Sequence, residues 1–175
     1  MAKDAIEPDT KDWIWVLHAP CPECGFQADV VAGTDVSGLV AAYAERWQHV
    51  LARPDVGSRP APQVWSPLEY ACHVRDVFRV FAGRVRLMLA QDAPTFENWD
   101  QDETAVVERY GEQAPSAVAA ELVAAAQDAG AAFAAVPADA WGRTGLRSNG
   151  SLFTIDSLGR YFVHDVVHHL HDVRA

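Results

Sequence analysis

The feature that most constrains the fold of this chain is a set of four long segments with apolar residues at helical spacing. The segments cover about residues 35–53, 67–91, 115–136 and 154–173, and prolines or turn-rich stretches separate them. Few stretches alternate between polar and apolar residues, so we expect strands to be minor. Four helices of this length predict an all-α protein, a four-helix bundle.

The second segment has the clearest helix start in the chain. Ser66 is a good N-cap, Pro67 suits the first helical position, and Glu69 completes a capping box. His73 follows on a stripe that it shares with Tyr70 and core residues. The sequence therefore predicts a well-defined helix that places His73 near its beginning.

Composition excludes several classes of partner. Half of the 175 residues are apolar, which is typical of one globular domain. The formal net charge is -10 and no basic patch is visible, so we expect neither nucleic acid nor a membrane surface as a partner. Residues 1–13 lack the apolar stretch of a secretory signal, and no apolar run approaches ~20 residues, so we expect a cytoplasmic protein.

We divide the chain into an irregular N-terminal extension, residues 1–33, and a helical bundle, residues 34–175. The extension is aromatic and is broken by prolines and Gly25. Within the bundle, the acidic segment 96–113 is predicted to be part helix and part loop. The segment 141–151 reads as a turn-rich connection.

The last helix, which contains YFVHDVVHHLHDV, carries the strongest chemical signal. His164 and His168 lie four residues apart, so their side chains share one side of the helix. Two neutral imidazoles at this spacing can chelate one divalent ion. Outside this helix the sequence has only His18, His49 and His73. We predict that His73 completes a metal site with His164 and His168.

A helical wheel places His164 and His168 away from the centre of the apolar arc. Either the helix is buried on two sides, or the pair faces solvent without a function. A metal site at the edge of the bundle, open to water, suits an enzyme, and we expect that arrangement. His171 is a rival ligand, whereas Asp165 and His169 are expected to support the ligands or to lie on the surface.

The sequence HAPCPECG in the extension is a second signal. CPxCG resembles a zinc knuckle, in which Cys21 and Cys24 hold one side of a tetrahedral site. The chain has no second CxxC, and His18 with Cys72 or His49 can supply the other side. We interpret CPECG first as a structural turn, then as a metal or redox site, and last as a contributor to the His73 site. Cys72 itself is expected to be buried.

The motifs WSPLEYACHVRDV and GSLFTIDSLGRYFVHDVVHHLHDV resemble the DinB/YfiT-like metalloprotein superfamily over about residues 35–174. The resemblance implies a four-helix bundle with one metal ligand from the second helix and two, four residues apart, from the last. Carried over, these ligands are His73, His164 and His168. The chain also looks like the mycothiol-dependent maleylpyruvate isomerase branch, which has Glu where this chain has His164.

The resemblance implies thiol chemistry in a metal-dependent enzyme. A thiol such as mycothiol or bacillithiol is bound as the thiolate and attacks an electrophilic substrate in S-transfer or isomerisation. Zinc or nickel suits three imidazoles, and twelve arginines against two lysines favour mycothiol. Arg75, Arg79 and Arg84 can hold an acidic substrate. The alternative is a non-enzymatic metal-binding or stress-response protein, and a homodimer is a further expectation.

Overall fold

The computed structural model describes residues 6, 8 and 11–175. The helices of this part of the chain are α1 (Val36–Leu51), α2 (Pro67–Ala90), the short α3 (Gln101–Val107), α4 (Pro115–Ala134) and α5 (Ile155–Asp172). The four long helices confirm the predicted bundle, and their ends lie within two residues of the predicted ends. The segment that was predicted to be part helix contains α3.

Side-chain caps explain where the two site-bearing helices begin. At α2, Ser66 Oγ accepts a hydrogen bond from the Glu69 amide (3.3 Å), and Glu69 Oε2 accepts one from the Ser66 amide (2.8 Å). At α5, Thr154 Oγ1 accepts a hydrogen bond from the Ser157 amide (3.0 Å). Because the caps satisfy amides that have no partner within the helix, they fix the first turns of α2 and α5.

The core lies where α5 and α4 pack against α1 and α2. Phe162 of α5 stacks on Phe133 of α4 (ring centroids 5.5 Å apart) and on Phe81 of α2 (5.0 Å), with Phe78 at its edge (5.7 Å). The alanine-rich α4 is long and apolar enough to cross a membrane by length and composition alone. The same test is passed by buried core helices, and α4 contributes eight buried residues to this core.

A small sheet corrects the prediction of a turn-rich connection at 141–151. In the described chain, β1 (Thr95–Phe96), β2 (Thr144–Arg147) and β3 (Leu152–Thr154) form a sheet in that order, with β1 parallel and β3 antiparallel to β2. The strands are too short to show an alternating pattern. Gly145 is required on β2, since a Cβ there would lie 2.8 Å from the Phe96 ring. The β2–β3 hairpin brings Arg147 beside α5.

The N-terminal segment, defined here as residues 11–35, packs onto the bundle through short 3-10 turns. Its Val16, Cys21, Phe26 and Ala28 are buried, and the last three belong to the same core as the helices. Residues 1–5, 7, 9 and 10 of the predicted extension lie outside the described residues. The domain boundary after residue 33 stays a prediction.

The aromatic stack predicts a large loss of stability for Phe162→Ala. Removing a fully buried phenylalanine ring leaves a cavity and costs about 3–5 kcal/mol of unfolding free energy. Val106→Ala is the control because Val106 is 77% exposed, and it should change stability by less than about 0.5 kcal/mol. Urea denaturation followed by circular dichroism measures both. Equal midpoints would contradict the assigned core.

Candidate metal centre

Helix α5 carries potential ligands on two adjacent flanks. Successive residues on an α-helix are rotated by about 100°, so the pair His164/His168 and the pair Asp165/His169 point in different directions. The first pair faces the N-terminal segment, and the second pair faces His73 on α2. The structure therefore divides the predicted triad of His73, His164 and His168 between two clusters.

The first cluster, called here the His73 cluster, consists of His73, Asp165 and His169. One potential ligand atom from each lies within 4.8 Å of the others. His73 Nε2 is 3.3 Å from Asp165 Oδ1, and His169 Nε2 is 3.7 Å from the same oxygen. The ring of Trp99 stacks on His73 with centroids 5.4 Å apart.

Electrostatics keep this cluster in a form that can bind a cation. Burial lowers the pKa of His73, so its imidazole is neutral at neutral pH. Burial alone would raise the pKa of Asp165, but the adjacent histidines have the larger, opposite effect. The pKa of Asp165 therefore lies below its usual value, and the carboxylate stays ionised. Asp172 Oδ2 lies 2.9 Å from His169 Nδ1 and orients that ring with Nε2 toward Asp165.

The donor set fits a divalent metal ion. Metal–nitrogen and metal–oxygen bonds of zinc at a tetrahedral angle separate the two donor atoms by about 3.4 Å, close to the 3.3 Å between His73 and Asp165. Asp165 and His169 also line an open cleft of about 990 Å³, whose wall includes Trp13, Trp99 and Arg147. Three protein donors beside open space are typical of a catalytic metal site.

The second cluster, called here the Cys–His cluster, consists of Cys21, Cys24, His164 and His168, again with ligand atoms within 4.8 Å of one another. His164 and His168 were expected at a water-open edge; both reach the wall of the cleft, but only 3% and 6% of their surfaces are exposed. The N-terminal segment covers them, with the Trp13 ring 5.4 Å and 4.7 Å from the two imidazoles. The other alternative, a helix buried on two sides, is the one observed.

Ionisation in the Cys–His cluster reflects its burial. Burial lowers the pKa of His164 to about 4 and also lowers the pKa of His168, so both imidazoles are neutral. Burial, and then the neighbouring Cys21, raise the pKa of Cys24 to about 11. Without a cation, Cys24 is therefore held as the thiol.

The remaining predicted candidates lie outside both clusters. His18 and His49 are exposed, and the side chain of His171 is 54% exposed. Cys72 is fully buried, as predicted, and it points toward Tyr110 O (3.8 Å). In the structure, His164 and His168 of α5 therefore form the second pair of potential ligands beside the cysteines of CPECG.

The arginines predicted to hold an acidic substrate are only partly suited to it. Arg75 forms ion pairs with Asp76 (3.0 Å) and Glu121 (2.9 Å), and Arg79 pairs with the same two carboxylates. Both guanidinium groups are therefore neutralised. Arg84 is buried and donates to Glu97 O (3.0 Å), and burial lowers its pKa to about 10.

Asp165 and His169 were expected to support the ligands or to lie on the surface, whereas the structure places both in the His73 cluster, and Arg147 was not singled out from the sequence. Asp165 and His169 have the same four-residue spacing as His164 and His168, and that spacing was the available signal. The spacing alone did not show which of the two pairs, offset from each other by one residue, faces α2. Arg147 reaches the cleft because β2 and β3 form a hairpin, and no sequence pattern indicated that pairing.

A helical bundle with a histidine–carboxylate cluster between two helices defines the class of this protein. A family model described as the DinB superfamily matches residues 39–173, and the chain belongs to that superfamily. The fold is also that of YfiT from Bacillus subtilis, described as a probable metal-dependent hydrolase with an unusual four-helix bundle topology. The two chains share 18% identity and a TM-score of 0.66, over 88% of this chain and 86% of YfiT. A search of curated proteins found no match.

The geometry predicts that Asp165→Asn and His169→Ala weaken metal binding at the His73 cluster by more than about 100-fold. Loss of an outer hydrogen-bond partner alone costs about 10–100-fold, and these changes remove ligand atoms. Titration of metal-free protein with Mn²⁺, followed by electron paramagnetic resonance, reports this cluster because thiolates suit that hard ion poorly. His171→Ala is the control and should bind normally. Unchanged affinity in both variants would refute the assignment.

Proposed function

We propose that this protein is a divalent-metal-dependent enzyme whose metal is held by His73, Asp165 and His169. The observation that carries the proposal is the convergence of these three donors beside a large open cleft. A bound divalent ion would lower the pKa of a water or thiol and make it a nucleophile at neutral pH. Zinc and nickel both suit two imidazoles and a carboxylate.

The surrounding residues position the ligands and exclude water from one side of the site. Asp172 holds the ring of His169, as described above. Trp65 and Trp99 lie against His73, with ring centroids 5.5 Å and 5.4 Å away. Substrate therefore has to approach from the cleft, where Asp165 and His169 are half-buried.

Arg147 places one positive charge on a cleft wall in which carboxylates outnumber cations, and at that point it can bind an anionic group of the substrate. Its guanidinium donates to Asn149 Oδ1 (2.9 Å) and Ser151 Oγ (3.1 Å), rather than to a carboxylate of the described chain. The side chain packs between the rings of Phe153 and Tyr161, with centroids 5.5 Å and 5.6 Å away. A positioned arginine of this kind suits a carboxylate on the substrate or on a thiol cofactor.

The finer proposal is that the nucleophile is a low-molecular-weight thiol, used for S-transfer or isomerisation. Asp165 and His169 present a carboxylate followed four residues later by a histidine, the combination expected of the isomerase branch, shifted by one residue from His164. A cleft of about 990 Å³ can hold a thiol cofactor and an electrophile together. The arginine-rich composition favours mycothiol.

Hydrolysis is a second candidate, in which water takes the place of the thiol. It is favoured by the similarity to YfiT, whose description names a probable metal-dependent hydrolase. A non-enzymatic metal-binding protein remains the alternative to both, and turnover separates it from them.

Thiol-dependent turnover tests the proposal directly. Metal-loaded protein incubated with mycothiol or bacillithiol and monochlorobimane should form the fluorescent conjugate faster than the uncatalysed reaction. Asp165→Asn should lower kcat/KM by at least about 100-fold, because removing a ligand weakens the metal site, and His171→Ala should not. Hydrolysis of ester and amide panels without thiol would favour the second candidate. No metal-dependent turnover of either kind would contradict an enzymatic role.

Substrate charge is tested at Arg147. Arg147→Gln should raise KM for an acidic thiol by about 10-fold or more, since a charge-assisted hydrogen bond contributes about 1.5–3 kcal/mol, while kcat changes little. Arg79→Gln is the matched control, because Arg79 lies in an ion-pair network and is absent from the cleft wall. The same KM in both variants would exclude Arg147 from substrate binding.

A further inference from the structure

We propose that Cys21, Cys24, His164 and His168 bind a structural zinc ion, separate from the ion of the His73 cluster. Two thiolates and two imidazoles form a donor set that zinc binds in closed structural sites. The spacings, CxxC in the N-terminal segment and HxxxH on α5, are those of Cys₂His₂ zinc sites. The two pairs are more than 130 residues apart in the chain, and the fold brings them together.

The distances agree with tetrahedral coordination. Zinc–sulfur bonds of about 2.3 Å and zinc–nitrogen bonds of about 2.0–2.1 Å place the two donor atoms about 3.6 Å apart at a tetrahedral angle. Cys21 Sγ lies 3.7 Å from His168 Nδ1. All four ligand atoms lie within 4.8 Å of one another, so they can surround one ion.

The backbone around the cysteines has the form of a metal-binding turn. The Gly25 amide donates to Cys21 O (2.9 Å), and the Cys21 amide donates to Phe26 O (2.8 Å). Gly25 has φ +76°, a conformation that glycine adopts without strain. The two thiol groups belong to one closed turn, and their sulfur atoms lie near the imidazoles of His164 and His168 on α5.

The surroundings of His164 and His168 also leave one ring nitrogen of each imidazole available for a metal. Glu23 Oε2 lies 3.5 Å from His168 Nε2, on the far side of the ring from Cys21. A carboxylate there can accept a hydrogen bond from Nε2–H and leaves Nδ1 for a metal. His164 Nε2 is buried and has no hydrogen-bond partner among the described residues. A buried nitrogen without a partner is costly, and coordination would satisfy it.

A structural role follows from the closure of this cluster. Its four protein donors fill a tetrahedral site, and Trp13 lies over both imidazoles. The ion would join the N-terminal segment to α5 and so hold one wall of the cleft. This role does not depend on the proposed enzyme activity, because it requires no open coordination position.

Cobalt substitution of the full-length protein tests the site without relying on activity. The His73→Ala variant, in which the first cluster is disabled, should bind about one Co²⁺ per chain and show sulfur-to-cobalt charge-transfer bands. Adding Cys24→Ser should weaken those bands, and adding both Cys21→Ser and Cys24→Ser should abolish them. Adding Cys72→Ser is the matched control and should leave the bands intact, since Cys72 lies outside the cluster.

X-ray absorption of zinc-loaded His73→Ala protein is the second measurement, and it does not require a cysteine variant to fold. Two sulfur and two nitrogen neighbours per zinc are expected. A spectrum without sulfur neighbours would overturn the proposal, as would charge-transfer bands that persist in the double cysteine variant. A Cys21–Cys24 disulfide in protein purified with zinc would also overturn it and would indicate a redox pair.

Discussion

The two-sided burial of α5 is the constraint on which the rest of the site depends. A one-residue step along this helix turns the side chain by about 100°, so HDVVHH presents ligands on two flanks. α2 covers one flank, and the N-terminal segment covers the other. Burying polar side chains on both flanks is unfavourable unless each finds a partner. The caps of α2 and α5, the aromatic stack and the CPECG turn all position those partners.

The helices could be predicted from the sequence because their apolar periodicity extends over many turns and their caps are local. The small sheet could not, since β1 and β3 have two and three residues and depend on contacts with distant parts of the chain. The position of His73 near the start of α2 could be predicted for the same local reason as its helix. The choice between His164/His168 and Asp165/His169 depends on which element covers which flank. That information lies in tertiary packing, and the helical wheel shows only the main apolar arc.

The CPECG turn also depends on tertiary packing that the sequence does not reveal. Its turn chemistry and two-residue spacing are visible in the sequence, but its partners are not. His18 is close in sequence and exposed in the structure, whereas His168 is 147 positions from Cys21 and lies 3.7 Å from its sulfur. An irregular segment gives no periodic signal of where it docks. The buried residues of the N-terminal segment include Val16, Cys21, Phe26 and Ala28, which are spaced without a helical or strand period.

Asp172 connects the electrostatics of the two clusters. It lies 2.9 Å from His169 Nδ1 and 3.9 Å from His168 Nε2, so one carboxylate contacts a histidine of each cluster. Together with Asp165 and Glu23 it concentrates negative charge around the imidazoles of the two clusters, and divalent cations would offset that charge. Binding to a structural Cys₂His₂ site contributes about 10–16 kcal/mol in zinc-finger peptides, and that energy acts as folding energy. With zinc in the Cys–His cluster, the position of Trp13 and the orientation of Asp172 both become linked to metal binding. The wall of the cleft and His169 of the proposed catalytic site would then be fixed by an ion that takes no part in the proposed reaction.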